Sequence, residues 1–294
     1  MEGILLALIP MVSWGSIIFV SSKIGGNANQ QTFGMTLGAF VFALVVFAVR
    51  QPKLDLTTIL IGLVGGGLWS IGQNEQFKAA KFMGVSVAGP LSSGAQLVIG
   101  SLIGVLAFGE WSKPIQYLLG SIAIIVLVIG FYFSSRKDPN TESVSGQQHL
   151  GKGLRSIAYS TFGYVLYATL FNNLSELIFH VKIDTLTVIL PMSVGMMIGA
   201  WIIAGGKIKL ESVVFKNIPV GLMWGLGNVF MLLAAAKAGL AIAFSFSQLG
   251  IIISTIGGIL FLGEKKTKLE LRYVVIGTAL FIIGAILLAI VKTQ

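Results

Sequence analysis

Apolar residues fall along this chain in runs of roughly 20, the length that carries an α-helix across the hydrocarbon of a bilayer, and polar residues gather in short gaps between them. Ten such spans can be placed. They are Gly3–Val20, Thr32–Val49, Thr58–Phe77, Val85–Phe108 and Ile115–Phe133, then Leu154–Asn172, Thr185–Ala204, Ile218–Ala236, Leu240–Leu262 and Leu271–Val291. One long polar stretch interrupts the series, with Asp138-Pro-Asn-Thr-Glu-Ser-Val-Ser-Gly at its centre, and its Pro, Ser and Gly mark a flexible connection. The chain therefore divides into a first five-helix repeat over 1–134, a polar linker over 135–152 and a second five-helix repeat over 153–294.

An odd number of spans per half turns the second half upside-down relative to the first. The expected fold is thus an all-α polytopic membrane protein, its ten transmembrane helices forming two inverted five-helix repeats with the solute path between them. Matched residues support a duplication. Trp69, Gly72, Gln73 and Gly84 meet Trp224, Gly227, Asn228 and Gly239 at a constant offset of 155, and Gly109-Glu110 meets Gly263-Glu264 at 154. Ser13-Trp-Gly15 is the expected, weaker counterpart of Thr161-Phe-Gly163. Pro90 and Pro191 each remove a backbone hydrogen bond near the starts of spans four and seven and can kink them.

Side-chain amides inside apolar helices need a reason, because an unpaired amide is costly in hydrocarbon. Gln73, Asn74, Gln76, Gln96, Asn228 and Gln248 all fall in spans. Amides both donate and accept, which suits the hydroxyls of a sugar; hydrogen bonding between helices is the plainer alternative. Trp14, Trp69 and Trp224 sit inside spans, where an indole face can pack on a pyranose ring or simply fill space. Ser93 and Ser247 add hydroxyls, although bonding back to their own helix is the commoner role. The expected binding set is Trp14, Trp69, Gln73, Gln76, Ser93, Gln96, Trp224, Asn228, Ser247 and Gln248. Glu75 is the one acid well within a span, making it a proton-coupling candidate or an ion-pair partner of Lys78, three residues on. The paired Glu110 and Glu264 read as caps or gate contacts.

Composition removes other classes. Hydrophobic residues make up 55% and charged residues 11%, against roughly 25% charge in a globular protein, and mean hydropathy is +0.91. The 37 glycines suit close helix packing in lipid. A net charge of +9 could suggest nucleic acid, but the Lys and Arg sit between spans as membrane topology requires. With both termini outside, fourteen of the 20 Lys and Arg would face the cytoplasm and six the exterior. The absence of cysteine excludes disulfides and thiolate metal sites. His149 and His180 lie in connections and no span carries an acidic pair, so catalysis, a metal or a cofactor is not expected. The sequence has no Gly-x-x-x-x-Gly-Lys-Ser/Thr motif, leaving an ion gradient or facilitated diffusion as the driving force.

At Trp14-Gly15, Thr36-Leu-Gly-Ala39, Leu68-Trp-Ser-Ile-Gly-Gln73 with Gln76, Ser92-Ser-Gly-Ala-Gln-Leu97, Leu190-Pro-Met-Ser-Val-Gly-Met196, Trp224-Gly-Leu-Gly-Asn228 and Ser245-Phe-Ser-Gln-Leu249, the chain resembles the glucose/ribose porter family of bacterial sugar transporters, within the drug/metabolite transporter superfamily. The resemblance covers nearly the whole chain and looks most like glucose uptake proteins. It implies uptake of a monosaccharide, with a proton, through a multi-pass protein of the bacterial cell membrane. Export of drugs or small metabolites, or uptake specific for ribose, are the alternatives. The superfamily fold implies cytoplasmic termini, against the charge count, and both orientations stay open.

Overall fold

The computed structural model describes residues 2–136, 138, 149–291 and 293. The described chain is helical apart from short connections and contains no strand. The first half comprises α1 (Glu2–Ile24), α2 (Ala28–Arg50), α3 (Leu56–Met83), α4 (Val85–Phe108) and α5 (Pro114–Ser135). After the linker, α6 (Leu150–Thr169) continues through a π-turn at Leu170–Leu174 into α7 (Ser175–Phe179). Then come α8 (Thr185–Ile203), α9 (Ser212–Lys216), α10 (Ile218–Ala238), α11 (Leu240–Gln248), α12 (Gly250–Ile256) with a second π-turn at Gly257–Phe261, and α13 (Lys268–Val291).

Among the described residues, nine helical stretches are long and apolar enough to cross a membrane. The stretch expected as Leu154–Asn172 is also helical but is not among those nine, since Arg155, Ser156, Ser160 and Thr161 dilute its apolar content. Large apolar side chains such as Leu106 and Val49 stand 83% and 77% exposed, which fits contact with lipid and would be a liability in water. The expected linker lends its ends to α5 and α6, and 137 and 139–148 lie outside the described residues.

Helix ends follow local chemistry. Asn27 caps α2 in a reciprocal box with Gln30, and Asp55 and Asp184 accept the Thr58 and Thr187 N–H groups at the starts of α3 and α8. The Thr58 N–H bond holds the Asp55 carboxyl below its ordinary range. Gly84 and Gly239, both at φ +87°, form the one-residue breaks after α3 and α10, a conformation other residues rarely adopt. α3 therefore runs on to Met83, six residues past the expected Phe77, and Glu75, Lys78 and Lys81 all lie within it. The expected ninth span is broken at Leu249, directly after Gln248. Pro90 and Pro191 sit inside α4 and α8, which continue through them.

The halves are interwoven. α3 packs along α6 and α8, α10 along α1 and α2, and α5 against α13. Glycines set the closest approaches: a Cβ on Gly66 would stand 2.0 Å from the Met192 carbonyl oxygen, and one on Gly221 2.0 Å from that of Met35. Gly3 meets Ala238, and Gln116 Nε2 donates to the Val291 carbonyl at 3.3 Å, so both chain ends mark one face, called here the terminal face. On the opposite, linker face, Lys23 Nζ donates to the Phe261 carbonyl at 3.1 Å and Lys81 Nζ to that of Gly26 at 2.5 Å.

Candidate functional site

A cavity enters from the terminal face between α6, α8 and α10. It is lined by Tyr167, Phe171, Asn172, Ile183, Thr185, Val188, Ile189, Met192, Trp224 and Asn228, and encloses about 130 Å³ of water-accessible space. From Thr185 to Met192 it follows two turns of α8, roughly 10 Å at 1.5 Å per residue. Phe171 and Asn172 reach it from the π-turn, a distortion that often marks functional sites. One edge of the Phe171 ring lies against Gly65, where a Cβ would stand 2.2 Å from it. Asn228 Nδ2 donates to the Trp224 carbonyl at 2.8 Å and Asn172 Nδ2 to that of Ala168 at 2.9 Å, leaving each amide oxygen available as an acceptor. No lining residue carries a formal charge.

Of the residues expected to bind solute, Trp224 and Asn228 line this cavity. Trp14 and Trp69 back it. The Trp14 N–H donates to the Trp224 carbonyl at 3.3 Å, and its indole covers Gly227. Trp69, 3% exposed, meets Trp224 edge-on at 5.5 Å and Tyr164 at 6.1 Å.

The expected first-half amides lie elsewhere, in a buried network. The Tyr164 hydroxyl donates to Gln73 Oε1 at 2.8 Å, Gln73 Nε2 to Gln76 Oε1 at 3.1 Å, and Gln76 Nε2 to Ser92 Oγ at 2.9 Å. Gln96 Nε2 donates to the Ser92 carbonyl and hydroxyl, both at 3.1 Å. Ser247 bonds back to the Phe244 carbonyl at 2.8 Å, while Ser93 and Gln248 are half-buried without a hydrogen bond among the described residues. Glu75 pairs with Lys78 at 2.7 Å on its own helix, away from the cavity lining.

Sequence reasoning missed Tyr164, Tyr167, Asn172 and Thr185. The available signal was the aromatic residues at 164 and 167, one turn apart, followed by Asn172-Asn173 at the end of an apolar run.

The two faces differ. On the linker face the Glu264 carboxylate accepts the Val85 N–H, the Ser86 N–H at 3.2 Å and the Ser86 hydroxyl, and thereby caps the start of α4. Its carboxyl would stand 3.0 Å from a Cβ on Gly84. Glu110 is exposed, accepts from Asn173 Nδ2 at 3.4 Å, and lies outside the 4 Å around a Cβ on Gly239. Phe19 and Phe261 stack at 5.7 Å on the same face.

The profile of the sugar transport protein family matches residues 5–291. The chain belongs to that family. It is an integral membrane protein of a transporter family, not an enzymatic one, as the resemblance implied. Its relatives include YxfA of Lactococcus lactis, provisionally named a sugar uptake protein, 64% identical over 294 residues with both chains fully covered. Relatives from Streptococcus agalactiae and Streptococcus pyogenes, provisionally named likewise, are 61% and 58% identical over 293 residues with full coverage. A solved crystal structure shares the fold at a TM-score of 0.60 and 13% identity, over 100% of this chain and 99% of that one.

Proposed function

We propose that this sugar transport family member is a secondary carrier. It takes up a monosaccharide, with glucose the first candidate, across the bacterial cell membrane by alternating access between two inverted five-helix repeats. The α6–α7 stretch supplies the tenth span. The cavity carries this reading. Trp224, Tyr167, Asn172, Asn228 and Thr185 share the lining of an uncharged space with five apolar side chains, a mixture of ring faces and hydroxyl-bonding groups that suits a neutral, hydroxyl-rich ring. Ligand pockets for drug-sized molecules run to roughly 300–1,000 Å³, so about 130 Å³ favours a single sugar ring over the amphipathic cargo of an exporter.

Alternating access draws support from the two ends. Glu110 and Glu264 are counterparts, one exposed beside Asn173 and one docked on a helix start. A carrier whose halves exchange roles would dock each in turn, closing one face while opening the other. With the terminal face outside, the orientation the charge count favours, this is an outward-facing arrangement. Concentrating sugar without a nucleotide requires an ion gradient, and Glu75, ion-paired to Lys78 here, is the acid assigned to a proton.

Uptake of labelled glucose into liposomes holding the purified chain tests this directly. Accumulation that collapses when an inward proton gradient is dissipated is the expected result. Equilibration without accumulation would remove the proton, and no saturable influx of any monosaccharide would remove the function.

A further inference from the structure

The cavity is walled by α6, α8 and α10, and contacts across the molecule pair these helices with α1, α2 and α3. The Trp14 indole covers Gly227 as the Tyr164 ring covers Gly72, and Gly3 abuts Ala238 as Gly153 abuts Met83. With α3 and α10 taken at an offset of 155, both contacts pair α1 with α6 at 150. Gly221 lies against the Met35, Gly38 and Ala39 backbone as Gly66 lies against that of Met192, Gly195 and Met196, which pairs α2 with α8 at 157. Carried across by these offsets, the wall residues Phe171, Val188, Ile189 and Asn228 become Ser21, Gln31, Thr32 and Gln73.

This second set is more polar than the first, yet it is buried. Gln31 of this set and Asn74, the neighbour of Gln73 that bonds to Thr32, are 1% and 0% exposed and project between α1, α2 and α3. Their amide nitrogens are used: Gln31 Nε2 donates to the Ser21 carbonyl at 2.8 Å, and Asn74 Nδ2 to Asn29 Oδ1 at 2.9 Å and Thr32 Oγ1 at 3.2 Å. Their oxygens are not, since Gln31 Oε1 and Asn74 Oδ1 have no hydrogen-bond partner among the described residues. An acceptor buried without a donor opposes folding, and amides serving only to join helices have no reason to carry one.

We infer that Gln31 and Asn74 form the opposite-facing half of the sugar site. When α1, α2 and α3 part at the linker face, hydroxyls of a neutral monosaccharide donate to these two oxygens. The Lys81 and Lys23 contacts to Gly26 and Phe261 release as that mouth opens. The assignment rests on the alternating-access reading above.

The test compares Gln31→Met and Asn74→Leu with the wild-type chain by sugar uptake into liposomes and by thermal unfolding. Each variant loses the unsatisfied oxygen together with the amide N–H bonds to Ser21 or to Asn29 and Thr32, so gain and loss offset and the unfolding midpoint changes little, while uptake falls roughly three- to tenfold, the factor of one lost hydrogen bond. Wild-type uptake by both variants overturns the assignment. Where a variant loses uptake and stability together, labelling decides. The natural chain has no cysteine, so Gln31→Cys gives a single thiol. Modification by a membrane-impermeant maleimide from the linker face, at a rate changed by sugar, supports the site, and no modification overturns it. If the wild-type chain itself moves no monosaccharide, the underlying reading falls and takes this one with it; if only the variants match wild type, this one alone falls.

Discussion

The Tyr164 hydroxyl donates to Gln73 Oε1 at 2.8 Å, tying α6 to α3 one turn beyond Trp69 on the linker-face side. The bond joins the two halves of the chain and satisfies a buried amide oxygen. Tyr164→Phe leaves Gln73 Oε1 buried without a donor, an expected loss of about 1–3 kcal/mol. Thermal unfolding in detergent reads it, and an unchanged midpoint would mean that the network does not hold the halves together.

Asn228 and Gln96 should separate in their effects. Asn228 lines the cavity with a free acceptor, so Asn228→Ala is expected to cut uptake by roughly tenfold, the worth of a hydrogen bond to bound solute. Gln96 spends its amide on Ser92, so Gln96→Ala should lower uptake less at normal membrane abundance. Equal losses in the two variants would put Gln96 in the site, and wild-type kinetics would remove it.

Glu264→Ala removes an acceptor from two backbone N–H groups and a hydroxyl at the start of α4. The closed linker face should weaken, and Glu110→Ala should weaken the opposite closure. With a single thiol at Thr185→Cys in the cavity, maleimide labelling from the terminal face is expected to slow in the first background and to hold or quicken in the second. Changes of the same sign in both would reduce these residues to ordinary caps.

Small-residue contacts between the halves should tolerate little. A Cβ at Gly66 or Gly221 would stand 2.0 Å from a carbonyl oxygen, and backbone cannot give as a flexible side chain can. Gly66→Ala and Gly221→Ala are each expected to cost about 1–3 kcal/mol or more. Gly67→Ala meets nothing within 4 Å and serves as the control. Unfolding midpoints check all three.

Much of this was legible in the sequence. Span positions followed from apolar runs, because lipid leaves hydrocarbon length as the main constraint on a crossing helix. Gly84 and Gly239 marked true breaks through their backbone conformation. The end of α3 was misplaced because Lys78 and Lys81 lower hydropathy without ending a helix; Gly84 ends it. The break after Gln248 was hidden, since the residues on both sides are apolar and helical. Amides were found, but their partners were not. Nothing in one dimension separates Gln73, bonded within a network, from Asn228, open to a cavity. Tyr167 and Phe171 escaped notice because aromatics in an apolar run read as packing, and only the π-turn beside them turns that stretch into a cavity wall.

Counterflow is the most direct measurement. Liposomes loaded with unlabelled glucose are diluted into a trace of labelled glucose, and influx is followed with no ion gradient present. A carrier that alternates between two faces returns loaded from inside, so labelled sugar should rise transiently above its equilibrium level, and Asn228→Ala should flatten the overshoot. Labelled sugar that enters at the same rate from loaded and empty vesicles would contradict alternating access.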